Sequence, residues 1–333
     1  MASNRKIKVK KILVIRFSSI GDIVLTSPVV RCLHEQLGAE VHFLSKKRFA
    51  SMLDHNPHIS KRFYLEDSLS EVVSLLKKEN YDAVIDLHHN LRTLRVKTAL
   101  GKPNFSFPKL NLQKWLLVNM RINKLPKQHI VDRYFNAAEP LGVKNDGRGL
   151  DFFIPKKDEV DVVALGLSAN EYVAFAIGGQ FATKKMPEAK IIDLCKRINT
   201  KIVLLGGPED AATAKHIVEQ CANTISACGL FNLNQSASLV KQAKLVISHD
   251  TGLMHIAAAF QKKIVSVWGN TVPDFGMTPY YGSKPVEQLQ AQVLGLSCRP
   301  CSKIGYQKCP KGHFKCMLDQ DEQAIAEWVK SRS

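Results

Sequence analysis

A chain of 333 residues with 45% hydrophobic content is long enough to bury a large core and predicts two domains. No apolar run approaches the roughly 20 residues that span a bilayer, which excludes a membrane-spanning helix and predicts a cytoplasmic protein. Its eight cysteines then read as thiols or metal ligands rather than disulfides.

The net charge of +17 is unevenly placed. Residues 1–150 hold 26 Lys+Arg against 13 Asp+Glu, and residues 151–333 hold 21 against 17. The opening MASNRKIKVKKILVIRF has the basic head of a signal peptide. Its apolar run from Ile12 to Ile15 is short and ends at Arg16, so the segment predicts a first strand over Lys11 to Phe17. Ser18-Ser19-Ile20-Gly21-Asp22 is the loop after it. Asp22 can cap the next helix or, at a strand's carboxyl end, serve as a general base. Pro28 to Leu37 predicts a helix ended by Gly38. Val41 to Leu44 and Tyr81 to Leu87 predict further strands. Alternating strands and helices mean a Rossmann-like domain, but with one glycine after the first strand there is no dinucleotide fingerprint.

Between Asp86 and Asp132 no acidic residue occurs, while nine cations do: Arg92, Arg95, Lys97, Lys102, Lys109, Lys114, Arg121, Lys124 and Lys127. Phe105, Phe107, Trp115 and several leucines are interleaved. Nucleic acid, an anionic membrane surface, an acidic substrate or a merely solvated face each fit this stretch.

The domain boundary is expected near Pro155, with one domain over 1–155 and a second over 156–333. Strand–helix alternation restarts at Tyr172 to Ile177. The loop from Gly178 and Gly179 to Lys184-Lys185-Met186-Pro187 has phosphate-loop composition without Walker A spacing. Lys201 to Leu205 predicts a strand running into Gly206-Gly207-Pro208-Glu209-Asp210. Glu209 is either a ribose-holding acid or the first turn of a helix. Thr224 to Ala227 predicts a short strand and Gln235 to Lys244 a helix. Leu245 to Gly269 reads as one βαβ unit: a buried strand, Ser-His-Asp-Thr-Gly as a turn, a helix over Leu253 to Phe260, and a strand over Ile264 to Trp268. Asp250, Thr251 and Gly252 then stand at the carboxyl end of a strand, where ligands sit. His255 lies one helical turn on and faces the same ligand. The alternative is that Asp250 or Thr251 only caps the helix.

The tail carries Cys298, Cys301, Cys309 and Cys316 with His313 between the last two. This spacing admits a structural zinc, packed thiols or an adventitious disulfide. Asp319 to Lys330 predicts a final amphipathic helix.

Taken together, IRFSSIGDIVLTSPVVRCL, HIVDRY, KKMP, LLGGPED and VISHDTGLMHIAAA resemble glycosyltransferase family nine, the ADP-heptose:lipopolysaccharide heptosyltransferases. The resemblance covers nearly the whole chain. It implies a GT-B fold of two Rossmann-like domains facing across a cleft, the first binding acceptor and the second the nucleotide sugar. It further implies an inverting transfer of heptose from ADP-heptose to a lipopolysaccharide inner-core acceptor, with no cofactor and no metal at the reaction centre. By position, Asp22 is the implied base, and Ser18, Ser19 and Gly21 shape its loop. Lys184 contacts the donor diphosphate, with Gly179 in the same loop, and Glu209 the ribose. Phe231, Asn232 and Leu233 lie where adenine is expected. Asp250, Thr251, Gly252 and His255 hold diphosphate and sugar. Arg92, His129 and Arg133 are assigned to the acceptor. Where family members often carry Trp before the loop proline, this chain has Met186.

The implied partners are a nucleotide sugar and an anionic lipid-linked saccharide, placing the protein on the inner face of the inner membrane. Another GT-B enzyme using a UDP-sugar, or a nucleic-acid-binding protein, are the alternative readings. No helix-turn-helix, RRM or finger pattern supports the latter.

Overall fold

Ile12, Leu13, Val14 and Ile15 are all completely buried. A strand apolar on both faces belongs in the interior of a parallel sheet. In the computed structural model, which describes residues 9–332, these residues form β1 (Lys11–Ile15) at the centre of the first of two all-parallel sheets. The basic head's Arg5, Lys6 and Lys8 lie outside the described residues.

The chain divides into two units. The first comprises the residues up to Lys109 together with Gln128–Phe153. After β1 come α1 (Ile20–Val24), α2 (Ser27–Leu37), β2 (Glu40–Lys46), β3 (Lys61–Leu65), α3 (Leu69–Lys77), β4 (Ala83–Asp86), α4 (Leu91–Leu100) and β5 (Asn104–Ser106). The strand order is β3-β2-β1-β4-β5. Pro28 opens α2 and Gly38, left-handed at φ 61°, closes it, as helix-end chemistry requires. Two further helices follow, α5 (Asn111–Trp115) and α6 (Ile130–Phe135). Only α6 belongs to the first unit.

The second unit takes in Leu110–Lys127 and everything from Ile154 onward. This differs from the expectation of a single first domain running to 155. Leu117 is buried against Val272 and Phe275, flanked by Val118 and Leu125, and that apolar contact holds the 110–127 excursion on the second unit.

From residue 172 the elements are β6 (Tyr172–Ala176), α7 (Glu188–Arg197), β7 (Lys201–Leu205), α8 (Ala211–Gln220), β8 (Thr224–Ser226), α9 (Leu233–Gln242), β9 (Leu245–His249), α10 (Gly252–Ala259), β10 (Lys263–Trp268), β11 (Gln288–Gln292), α11 (Lys315–Leu318) and α12 (Glu322–Lys330). The second sheet has the order β11-β10-β9-β6-β7-β8. Its core joins Val173, Phe175, Leu204, Ile247 and Val265 to Ile325 and Val329 of the last helix.

In both sheets the chain reverses its direction of winding once, between β1 and β4 in the first and between β6 and β9 in the second. Open α/β sheets bind ligands at the carboxyl ends of the strands flanking such a point. Among the described residues no helix is long and apolar enough to cross a membrane.

Candidate functional site

In the first unit, β1 and β4 pair with Ile15 opposite Asp86, so the Arg16–Asp22 loop and the turn after Asp86 emerge side by side. Asp22 Oδ2 accepts the Ser19 N–H at 3.0 Å and the Ser19 hydroxyl at 2.8 Å. This is the capping box of α1. The other carboxylate oxygen, Oδ1, lies 2.5 Å from the Arg16 guanidinium. Arg16 is itself held from below. Its Nε donates to the Ser18 carbonyl at 2.7 Å, another nitrogen donates to the Leu87 carbonyl, and the guanidinium carbon sits 5.7 Å from the Tyr134 ring centre. Burial opposes ionisation of Asp22, but the Arg16 charge and the Ser19 donors outweigh it and hold the carboxyl below its ordinary value. Asp22 is thus a fixed carboxylate at neutral pH.

Ser18 and Ser19 serve this loop through backbone and hydroxyl, and Gly21 is buried within α1. His88 packs edge-on to Phe17 at 5.3 Å. Burial, with the Arg16 and Lys109 charges, pushes its imidazole down to about 4. His129 caps α6 through Nδ1, accepting the Val131 N–H at 3.1 Å. Arg133 is buried, and burial lowers its affinity for a proton. Arg92 is exposed on α4. These three acceptor candidates therefore have different surroundings, and only Arg92 stands open to solvent in its own unit.

In the second unit the same position is occupied by a pair contributed from loops 66 residues apart. Lys184 Nζ reaches Asp250 Oδ2 at 2.6 Å and the Asp250 carbonyl at 3.1 Å. The Thr271 hydroxyl also donates to Asp250 Oδ2, at 2.8 Å. Thr251 takes the N-cap position of α10, yet no side-chain cap bond is made there. The helix-cap alternative is therefore not met by either residue: Asp250 is turned to Lys184 and Thr271. Gly252 begins α10, and His255 is buried one turn along. A Cβ on Gly179 would stand 3.2 Å from the Thr251 methyl. That approach brings the glycine loop against the N-terminus of α10, where backbone N–H groups favour an anion.

The lysine loop is fixed from beneath by a residue that spacing did not single out. Burial pushes His249 down to about 4, so its ring is neutral, and Nε2 accepts the Met186 N–H at 2.9 Å. Met186 is buried in the core. Lys185 turns the other way, to Asp210 at 3.0 Å, and Asp210 also accepts the Gly207 N–H at 3.0 Å. A Cβ on Gly178 would meet Asp210 Oδ2 at 2.4 Å, so only glycine fits there.

Glu209 is exposed beside Gly207. The loop after β8 joins it, because the Gly229 N–H donates to the Gly206 carbonyl at 3.1 Å and Gly229 contacts Pro208. Along that loop lie Phe231, half-buried, Asn232, which caps α9 and donates to Asp158 at 3.1 Å, and Leu233.

Of the three readings open to the tail cysteines, the structural zinc is the one the described geometry does not support. Among the described residues no group of three or more His, Cys, Asp or Glu is arranged to hold a metal ion. Cys316 points into the hydrophobic core of the second unit, and burial raises its thiol to about 12. Cys298 lies 3.7 Å from His313 Nε2, and Cys301 and Cys309 are partly exposed free thiols.

One of the nine cations in the acid-free stretch is internal: Lys97 is buried 3.0 Å from Asp86 and donates to Ser106. Arg121 stays exposed but is tied down, donating to the Ser297 and Pro300 carbonyls at 2.8 Å.

Two parallel α/β units, each with charged loops at its sheet's switch point, are the architecture of the GT-B class. The model of glycosyltransferase family 9 (heptosyltransferase) matches residues 71–310, and the chain belongs to that family. The chain is 25% identical to lipopolysaccharide heptosyltransferase 1 of Campylobacter coli, over 78% of this chain and 84% of that one. Among solved structures it resembles the ADP-heptose lps heptosyltransferase II of E. coli, with a TM-score of 0.72, 21% identity, and coverage of 96% of this chain and 98% of that one. It also resembles E. coli heptosyltransferase WaaC with ADP, with a TM-score of 0.68, 21% identity, and coverage of 97% and 100%.

Proposed function

We propose that this heptosyltransferase moves a heptose from ADP-heptose to an acidic, lipid-linked inner-core saccharide of lipopolysaccharide at the inner membrane face, by a single inverting displacement. Such a transfer needs a base to take the acceptor hydroxyl's proton and cations to receive the departing diphosphate. Asp22, ionised and held in one orientation, is the base. Lys184, His255 and the N-terminus of α10 stabilise the leaving diphosphate, so the transfer needs no metal ion. Thr251 and Gly252 let the phosphates approach the backbone, and Asp250 holds the sugar hydroxyls. Glu209 binds the ribose and Phe231–Leu233 flank the adenine. Arg92, His129 and Arg133 belong to the acceptor side.

The observation that carries this reading is the Lys184–Asp250 pair across the β6/β9 switch point. A lysine and an acid are placed together where a phosphate and a sugar must both be gripped, and Thr251 is left uncommitted by the helix it begins. ADP in a related structure of the same fold supports adenine as the base. The test is donor choice: transfer from ADP-heptose compared with transfer from UDP-sugars.

A further inference from the structure

The excursion from Leu110 to Lys127 has one anchored side. Leu117 is buried on Val272 and Phe275. Arg121 is tied to two carbonyls, and Asn123 donates to Asp274 at 2.6 Å. The helix α5 continues through a π-helical turn, Leu116–Met120, and its other side is uncovered. Leu112 is 66% exposed, Trp115 54%, Met120 56% and Ile122 44%.

Four large apolar side chains exposed within eleven residues go beyond the single scattered hydrophobics of an ordinary surface. The segment's own charges have one sign. Lys124 and Lys127 follow, both exposed, and no acidic residue occurs anywhere between Asp86 and Asp132; the neighbouring acid Asp274 is taken up by Asn123. A segment with an apolar centre, an amphipathic tryptophan and an excess of cations matches an anionic bilayer surface.

We propose that Leu112, Trp115, Met120 and Ile122 insert into the headgroup region of an anionic bilayer, with Lys124 and Lys127 on the lipid phosphates. The proposal rests on the reading of the acceptor as lipid-linked and deepens it. The unit that contacts the membrane is the one carrying Lys184 and Asp250, not only the one carrying Asp22.

The experiment is co-sedimentation of the full chain with vesicles of equal parts phosphatidylglycerol and phosphatidylcholine, with pure phosphatidylcholine as control. The wild type is expected to bind the anionic vesicles and to release as salt rises. The Leu112→Ser/Trp115→Ser/Met120→Ser variant should partition at least about tenfold more weakly. Lys124→Gln/Lys127→Gln should weaken binding by roughly tenfold and flatten its salt dependence.

Wild-type sedimentation by the triple variant overturns the proposal. So does loss of binding from Leu91→Ser/Leu94→Ser on α4 while the triple variant still binds. So does a wild-type dimer that the triple variant splits, since a second copy would then cover the face. Turnover of a delipidated acceptor, measured alongside, should be equal in wild type and triple variant. Its absence in both would count against the substrate reading, while the vesicle result judges the docking face independently.

Discussion

The two switch points use one ion pair each, but in opposite ways. At the first, the cation lies underneath: Arg16 is buried, tied to the Ser18 and Leu87 carbonyls, and its role is to hold Asp22. At the second, the cation comes from the loop above. Lys184 reaches across from the far side of the sheet's winding reversal to Asp250, and the anchoring falls to a neutral histidine, His249, beneath the loop. The first arrangement presents a fixed carboxylate, suited to receiving a proton. The second presents a lysine and an acid on adjoining loops, suited to a ligand with both phosphate and hydroxyl groups. On the proposed function, similar sheets support different halves of a group transfer, because what differs is which charge is rooted in the fold.

If that division is right, removing the rooted carboxylate stops chemistry without touching the nucleotide. Asp22→Asn should lower transfer by about 10²–10⁴-fold with ADP affinity unchanged, as read by steady-state rates and calorimetry. The amide can still accept the Ser19 N–H, but the buried Arg16 loses its counter-charge, so the melting temperature should fall as well, and the rates are read well below it. Near wild-type turnover would remove Asp22 from its assigned role.

Lys184→Ala breaks the comparison from the other side. A charge-assisted contact to phosphate contributes roughly 1.5–3 kcal/mol, so ADP should bind about 10- to 150-fold more weakly by calorimetry. Equal affinity in both proteins would move the phosphate site away from this loop.

The smallest expected effect sharpens the role of Arg16. Asp22 is held below its ordinary value by Arg16 and Ser19 against its burial, so the wild type should keep its carboxylate, and its activity, to pH values below the usual aspartate range. In Arg16→Gln that support is lost while the burial remains. The carboxyl's affinity for protons then rises, and the acid limb of the kcat/KM profile should move to higher pH. The sign for stability is the same: a carboxyl depressed in the folded state stabilises it above the unfolded value and loses that contribution as pH falls. An unmoved acid limb in Arg16→Gln would mean that Arg16 does not set the ionisation of Asp22.

Much of this architecture was legible because buried parallel strands are continuous apolar runs. KILVI, YVAFA, KIVLL and LVISH each announce themselves, and the short loops after them mark where ligands gather. β11, QLQAQ, did not, although Leu289 and Ala291 alternate with glutamines and pack on the core, because a short glutamine-rich edge strand lacks the β-branched and aromatic residues that mark a strand. Nor did the attachment of residues 110–127 to the second unit, because Leu117 and Val118 say that something is covered but not by what.

At the site, sequence pointed to Asp22, Lys184 and Asp250 but not to their partners. Arg16 reads as the end of a strand and His249 as part of a turn, and Thr271 lies 21 residues from the acid it binds. Such pairings are created by the crossing of strands and have no local spacing to betray them. The nine-cation stretch shows the converse: composition alone made Lys97 look like surface, and the fold buries it against Asp86, while Arg121 stays exposed but spends its guanidinium on the protein's own carbonyls.

The most direct test of the account is the transfer itself. Purified protein incubated with ADP-heptose and a heptose-deficient inner-core acceptor should give, by mass spectrometry, an acceptor heavier by one heptose, with UDP-sugars giving no product. Product from a UDP-sugar and none from ADP-heptose would contradict it.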